Sequence, residues 1–182
     1  MKEIVRIAGF TGSLRRHSYN KAALRAAQYL VPENAVLEIL ELADIPFLNE
    51  DVEAKGLPAS VAEFKERLSL ADAILISTPE YNFSIPPVLK NALDWASRGE
   101  VLPLYGKPLA IMSASPSFLG GSRAQYHLRQ VCVSLNLIPI NKPEVFITQA
   151  HKKFDEEGNL VDERTQESIA KLLKALVENV KR

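Results

Sequence analysis

Short apolar runs alternate along the chain with segments in which apolar residues recur every three or four positions. This alternation predicts buried strands separated by amphipathic helices, the pattern of a parallel sheet with helices on both faces. Ile4 to Phe10 is the first apolar run. Ser18 is placed to cap a helix in which Ala22, Ala23, Ala26, Ala27 and Leu30 share a face, and Pro32 ends it. Val36 to Leu40 is a second strand, followed by a loop rich in acids and prolines from Asp44 to Pro58. Val61, Phe64, Leu68 and Ala71 then mark a helix face, and Asp72 to Thr78 a third strand. Val88, Leu89, Ala92, Leu93 and Ala96 form the next face, with Gly99 as a stop signal beyond it. Pro108 to Ala114 is the fourth strand, and Leu128, Val131, Cys132 and Leu135 lie on the helix after it. The fifth strand is broken into Leu137 to Ile140 and Val145 to Thr148 by Asn141-Lys142-Pro143. The charged stretch from Lys152 to Leu160 reads as an exposed turn before a last helix carrying Ile169, Leu172, Leu173, Leu176, Val177 and Val180. The result is an α/β chain of five βα units without repeats or long linkers.

Composition narrows the class. With 182 residues and 47% hydrophobic content, residues 1–182 are expected to form a single domain around one sizeable core. Lys plus Arg and Asp plus Glu stand at 22 each, so no net field draws the chain to nucleic acid or to an anionic membrane. The opening Met1 to Ala8 has Lys2, Glu3 and Arg6 in and around its apolar run and no small-residue cleavage site, which reads against a signal peptide. No run approaches membrane-spanning length, and a cytoplasmic location is expected. The lone Cys132 excludes an intramolecular disulfide framework and a cysteine-rich metal site, and its place on an apolar helix face predicts a buried, inert thiol. His17, His127 and His151 show no metal-ligand spacing, so no metal site is expected.

In open α/β sheets ligands bind beyond the carboxyl ends of the strands. The loop after the first strand, Thr11 to Asn20, joins a buried strand to a helix start with small hydroxyl residues and two arginines. Backbone N–H groups, the positive end of the helix dipole, Ser13, Ser18 and Asn20, and the charge of Arg15 would together suit a phosphate. An ordinary capped turn uses the same residue types, so composition leaves both readings open. The loop lacks the third glycine of a dinucleotide fingerprint and the Gly-Lys-Ser/Thr ending of a P-loop, which favours a monophosphate. The loop after the third strand, Thr78 to Pro87, offers backbone donors, an aromatic ring and an amide to a planar heterocycle. The loop after the fourth, Ser113 to Arg123, contains Gly120-Gly121, which either lets a flat ligand approach the backbone or simply makes a turn.

These residues resemble the NADPH-dependent FMN reductase family, particularly its chromate and quinone reductase branch. The match rests on Gly-Ser-Leu-Arg with Ser-Tyr-Asn after the first strand, Pro-Glu-Tyr-Asn after the third and Gly-Gly-Ser-Arg after the fourth, supported by Leu89 to Trp95. It covers nearly the whole chain. The resemblance implies a flavodoxin-like, doubly wound five-stranded parallel sheet of order 2-1-3-4-5, with bound FMN and NADPH or NADH as electron donor. It implies FMN phosphate in the loop of Ser13, Arg15, Ser18, Tyr19 and Asn20, the isoalloxazine edge along Pro79, Glu80, Tyr81 and Asn82, and Ser113 with Gly120 and Gly121 flanking the ring. The sequence departs from the family at Pro87 and Pro116, where glycine is common, and stiffer loops there would alter which acceptors stack on the flavin. Hydride transfer needs no protein acid or base, so no catalytic residue is assigned.

Two classes of function follow. One is a two-electron enzyme that reduces quinones or similar small acceptors, such as azo compounds, chromate or free flavin, in ping-pong turnover. The other is a flavodoxin-like electron shuttle, which the formally neutral chain disfavours, because flavodoxins that carry electrons are typically acidic. The family also implies a homodimer or homotetramer. Phe83, Phe118 and Tyr126 lie in or beside the site loops, where aromatic rings would suit an interface roof. Arg123, Tyr126, Arg129 and Glu144 read either as solvated element ends or as a polar subunit contact. Trp95 reads as core, and Lys90 with Asp94 as an i, i+4 pair.

Overall fold

The structure is a computed structural model describing residues 4–180. Met1, Lys2 and Glu3, part of the opening run considered above, lie outside the described residues. The strands are β1 (Val5–Phe10), β2 (Ala35–Leu40), β3 (Ala73–Thr78), β4 (Pro108–Ala114), β5 (Ile138–Pro139) and β6 (Val145–Ile147). The helices are α1 (Tyr19–Leu30), α2 (Glu50–Glu53), α3 (Ala59–Leu70), α4 (Pro87–Ala96), α5 (Ser122–Leu135) and α6 (Glu163–Val180), and a short 3₁₀ turn covers Ala150–Lys152. The strands are parallel in the order β2-β1-β3-β4-β5, which is the flavodoxin-like order the sequence resemblance implied. The broken fifth strand is also present: β5 pairs with Pro108 and Leu109 at the start of β4, and β6 with Met112 to Ala114 at its end.

Each face of the sheet carries its own apolar layer. Val5, Ile7, Leu75 and Met112 pack under α1 and α6. Ala8, Phe10, Ile74, Ile76 and Ile111 pack under α3, α4 and α5, where Phe10 meets Phe64 edge to face at 5.6 Å. Every residue of β3 is buried, as a central parallel strand requires. Each fully buried Leu or Ile contributes about 1.5–3 kcal/mol of transfer free energy. Trp95 is fully buried, and its indole N–H reaches the Pro46 carbonyl at 2.8 Å. Lys90 pairs with Asp94 at 2.6 Å. No helix among the described residues is long and apolar enough to cross a membrane.

Two loop expectations change. The acidic loop from Asp44 to Pro58 contains the one-turn α2, because Asn49 accepts the Asp51 N–H at 2.9 Å and Glu50 and Asp51 sit favourably at the helix start. The stretch from Lys152 to Leu160 is an exposed turn only at its tip. Phe154 and Leu160 bridge as antiparallel partners and are buried, with the Phe154 ring 5.5 Å from that of Tyr19. Asp155 closes the turn by accepting the Asn159 N–H at 2.7 Å.

Cys132 is fully buried on α5, and burial pushes its thiol up to about 12. The folded protein at pH 8 is therefore expected to leave Ellman's reagent uncoloured over minutes and to release one thiol equivalent only after unfolding in guanidinium. Rapid reaction of the folded protein would show that α5 opens locally.

Candidate functional site

The carboxyl ends of β1, β3 and β4 bring three loops together, and close packing fixes their positions. The first loop leaves β1 through Gly12, which lies so near α4 that an added Cβ would stand 2.5 Å from Pro86 Cγ and 2.7 Å from Leu89 Cβ. Only glycine fits there. Ser13 follows, buried, with its N–H on Thr11 Oγ1 at 3.3 Å and its hydroxyl without a partner among the described residues. Ser18 caps α1 by accepting the Lys21 N–H at 3.3 Å. Arg15 and Arg16 are exposed, and neither has a carboxylate within 4 Å among the described residues. Two exposed guanidinium groups outside any ion pair thus stand beside a capped helix start, an arrangement that favours an anion. A depression of about 470 Å³ adjoins this loop, lined by Arg15, Ser18, Tyr19 and Arg25 and closed on the far side by Phe154 and Asp155.

Asn20 behaves differently from the expectation of a phosphate donor. It is buried, donates through Nδ2 to the Ala114 carbonyl at 2.9 Å, and accepts through Oδ1 from the Ala114 N–H and the Ser77 hydroxyl, both at 2.9 Å. Its amide is committed to the strand ends, so Asn20 fixes the loop before it can serve any ligand.

In the second loop, Tyr81 and Ser84 exchange backbone hydrogen bonds of 2.9 and 3.0 Å around Asn82 and Phe83, which have φ values of 48° and 66°. This is a two-residue hairpin turn with both central residues left-handed. The backbone N–H groups of Glu80 and Asn82 have no protein acceptor among the described residues, so they remain available to a planar ligand. Pro79 is buried, and its carbonyl accepts the Thr78 hydroxyl at 2.8 Å. The Glu80 carboxylate turns away from this edge and accepts the N–H groups of Arg123 and Ala124 at 3.0 and 3.2 Å. Tyr81, Asn82 and Phe83 are exposed, and the Arg123 guanidinium lies 4.0 Å above the Phe83 ring.

The third loop holds Ser113, Gly120 and Gly121 close against the protein's own framework. Ser113 is fully buried, donates to the Gly120 carbonyl at 2.6 Å and accepts from Gln125 Nε2 at 2.8 Å, so its hydroxyl is committed to the protein. The Cβ sides of Gly120 and Gly121 face the protein, while among the described residues their backbone N–H groups have no acceptor. A Cβ at Gly120 would meet Thr148 Cγ2 at 3.0 Å, and one at Gly121 would meet Ser113 Cβ at 2.8 Å. Their job is to seat the start of α5 against β4 and β6. What the loop does expose is Phe118 and Leu119.

Sequence reasoning missed three polar residues that shape the site. Gln125 bridges Ser113 and the Val145 carbonyl, Ser77 anchors Asn20, and Asn91 holds Pro46 and Leu48 to α4 at 2.9 and 2.8 Å. The available signal for Gln125 was a polar residue beside the buried stripe of Ala124, Leu128 and Cys132. Of the proposed subunit-contact residues, Tyr126 donates to Glu144 at 3.0 Å and Arg129 to the Ile140 carbonyl at 2.8 Å.

The family model described as NADPH-dependent FMN reductase matches residues 5–152, which include all three loops. An NAD(P)H-dependent FMN reductase of Pseudomonas aeruginosa is 49% identical over 176 residues, covering 97% of this chain and 95% of that protein. An NADPH:quinone oxidoreductase of Arabidopsis thaliana is 44% identical over 182 residues, covering 97% and 92%. Among solved structures, the flavoenzyme NAD(P)H:(acceptor) oxidoreductase FerB of Paracoccus denitrificans superposes with a TM-score of 0.89 at 31% identity, covering 98% of both chains. With a matching sheet order, a cradle suited to an anion and a match over most of its length, the chain belongs to the NADPH-dependent FMN reductase family, enzymes that hold FMN and draw electrons from NAD(P)H.

Proposed function

We propose that this enzyme reduces quinones or similarly small, flat acceptors by two-electron, ping-pong transfer. FMN, when bound, supplies the redox chemistry by taking a hydride from NAD(P)H and passing two electrons to the acceptor. The observation that carries the reading is the pairing of the exposed, unpaired Arg15 and Arg16 at the capped start of α1 with two backbone N–H groups, those of Glu80 and Asn82, that have no acceptor among the described residues. Arg15, the Ser13 hydroxyl and the first-turn N–H groups of α1 would hold the phosphate, with Ser18 and Tyr19 lining the same depression. Pro79 to Asn82 would present backbone to the flavin edge, the two free N–H groups donating to ring acceptors. No side chain is required as a catalytic acid or base. The residues therefore bind, orient and exclude water.

The acceptor class is supported by the exposed rings of Tyr81, Phe83 and Phe118 on the two site loops, which suit stacking of a flat molecule, and by the quinone activity named for the plant relative. Azo compounds, free flavin and chromate belong to the same test panel. Pro116 lies on the exposed part of its loop, and Pro87 begins α4. The electron-shuttle alternative is disfavoured by a net charge of zero, which offers no field to guide a protein partner. We further propose a homodimer or homotetramer, in which the exposed Phe83, Phe118 and Tyr126 would gain cover from a second copy, and a single-domain enzyme that works in the cytoplasm.

Two measurements follow. The purified protein should be yellow and release FMN, not FAD, on denaturation. Arg15→Ala should weaken FMN binding by about 1.5–3 kcal/mol, the value of a hydrogen bond to a charged group, and leave riboflavin binding nearly unchanged. Equal losses for both flavins would move Arg15 from the phosphate to the ring or the fold.

Donor and acceptor would share one open face, because a stacked nicotinamide at a near-attack distance of about 3–3.5 Å leaves no room for a second flat molecule. Initial rates with NADPH and a benzoquinone should therefore give parallel double-reciprocal lines, and anaerobic NADPH alone should bleach the flavin. Intersecting lines would require both substrates on the protein at once. Failure of either nicotinamide to bleach the flavin would favour the shuttle.

A further inference from the structure

We propose that Glu80 is a positioning residue, one that sets the flavin-facing backbone of its loop by clamping that loop onto the start of α5. The inference rests on the flavin reading above and adds to it a device that the reading does not need.

Helix α5 has no local cap. Its N-cap is Gly121, left-handed at φ 84° and without a side chain. A capping Ser, Asp or Asn cannot replace it, since a Cβ there would stand 2.8 Å from Ser113 Cβ. The first-turn N–H groups of the helix still need an acceptor. Glu80, 43 residues earlier in the chain, supplies it: one carboxylate oxygen accepts from both Arg123 and Ala124. The negative charge also lies where the helix dipole favours it.

The same carboxylate belongs to the residue whose own N–H has no acceptor among the described residues and which the flavin reading above places at the ring edge. Anchoring Glu80 to α5 therefore fixes the Glu80 N–H directly and the Asn82 N–H two residues on. Further contacts bind the turn to the same helix. The Arg123 guanidinium stands 3.8 Å from the second Glu80 oxygen and 4.0 Å above the Phe83 ring, and the Ser84 hydroxyl lies 2.7 Å from His127 Nδ1. The turn needs such support, because Asn82 and Phe83 both occupy a backbone region that residues with side chains rarely adopt. Glu80 thus acts on the flavin through backbone geometry, while its carboxylate stays on the helix.

The test compares wild type with Glu80→Ala and Glu80→Gln by FMN titration, the absorption spectrum of bound flavin, and amide hydrogen exchange of the apoproteins. The alanine variant should bind FMN about tenfold more weakly, the loss typical of a removed cap, with a shifted flavin spectrum and faster exchange at Arg123 and Ala124. The glutamine variant keeps an oxygen that can accept both N–H groups and should restore most of the affinity, spectrum and protection. If Glu80→Ala does not fold, Glu80→Asp, which draws the carboxylate back by one methylene, takes its place with the same expected direction. A glutamine variant as impaired as alanine would overturn the proposal in favour of a direct role for the charge. An alanine variant with lower stability but wild-type FMN affinity and spectrum would overturn it in favour of plain helix capping. Wild-type protein that takes up no FMN would reject the flavin reading itself, and the proposal with it.

Discussion

The side chain of Asn20 solves a hydrogen-bonding problem that arises wherever parallel strands splay apart to make room for a ligand. Ala114 ends β4, one residue beyond the last register pair with β3, Thr78 with Ser113. The next residue on the β3 side is Pro79, which has no N–H to continue the ladder. The Ala114 N–H and carbonyl would be left without partners in a buried place, at a cost of about 1–3 kcal/mol per group. Asn20 satisfies both with one amide and takes a third hydrogen bond from Ser77. Because Asn20 lies in the first turn of α1, the same contacts fix the distance from the anion cradle to the ends of β3 and β4. Every other feature of the site is measured from that fixed point.

Polar groups near the site are shared between loops. Glu80 caps a helix that begins in another loop, Ser113 and Gln125 join β4 to α5 and β6, and Asn91 ties the long connection after β2 to α4. Each is a link between segments far apart in sequence. Among the described residues, the groups at the strand ends without protein partners include the Ser13 hydroxyl, the N–H groups of Glu80 and Asn82, and the guanidinium groups of Arg15 and Arg16. A site whose framework is saturated presents its unsatisfied donors in fixed directions, which is the requirement for orienting a rigid planar cofactor.

The fold was legible because its signals are local. Strand runs, the Ser18 cap, the Pro32 stop and the break at Asn141 to Pro143 each act within a few residues, and the sheet order followed from the family motifs. The site was legible as a set of loops and less so as a set of side chains. Ser113 and Gly121 read as ligand contacts because small residues after a strand suit close approach, yet the surface they approach is the protein's own. Glu80 read as a flavin neighbour because its position in the chain is next to the flavin edge, whereas its carboxylate answers a need 43 residues away. Phe154 and Leu160 hid in a charged stretch because the five residues between them, Asp155 to Asn159, carry no apolar side chain to establish a helical or strand pattern.

Charge placement ties the site to the kind of partner it meets. Across 182 residues the charges sum to zero, so long-range steering toward a large charged partner is weak. Near the start of α1 the depression is lined by Arg15, Arg16 and Arg25 and by Asp155, Glu156 and Glu157, and among the described residues Arg15 and Arg16 form no ion pair with these acids. Asp155 is held in its own turn by Asn159 and Gly158, which keeps its carboxyl below the usual carboxylate range and keeps it from swinging toward the arginines. Positive charge thus stays available over the few ångströms that matter for a phosphate and is cancelled at the distances that would matter for a protein or a nucleic acid, since a Debye length of about 8 Å screens the rest.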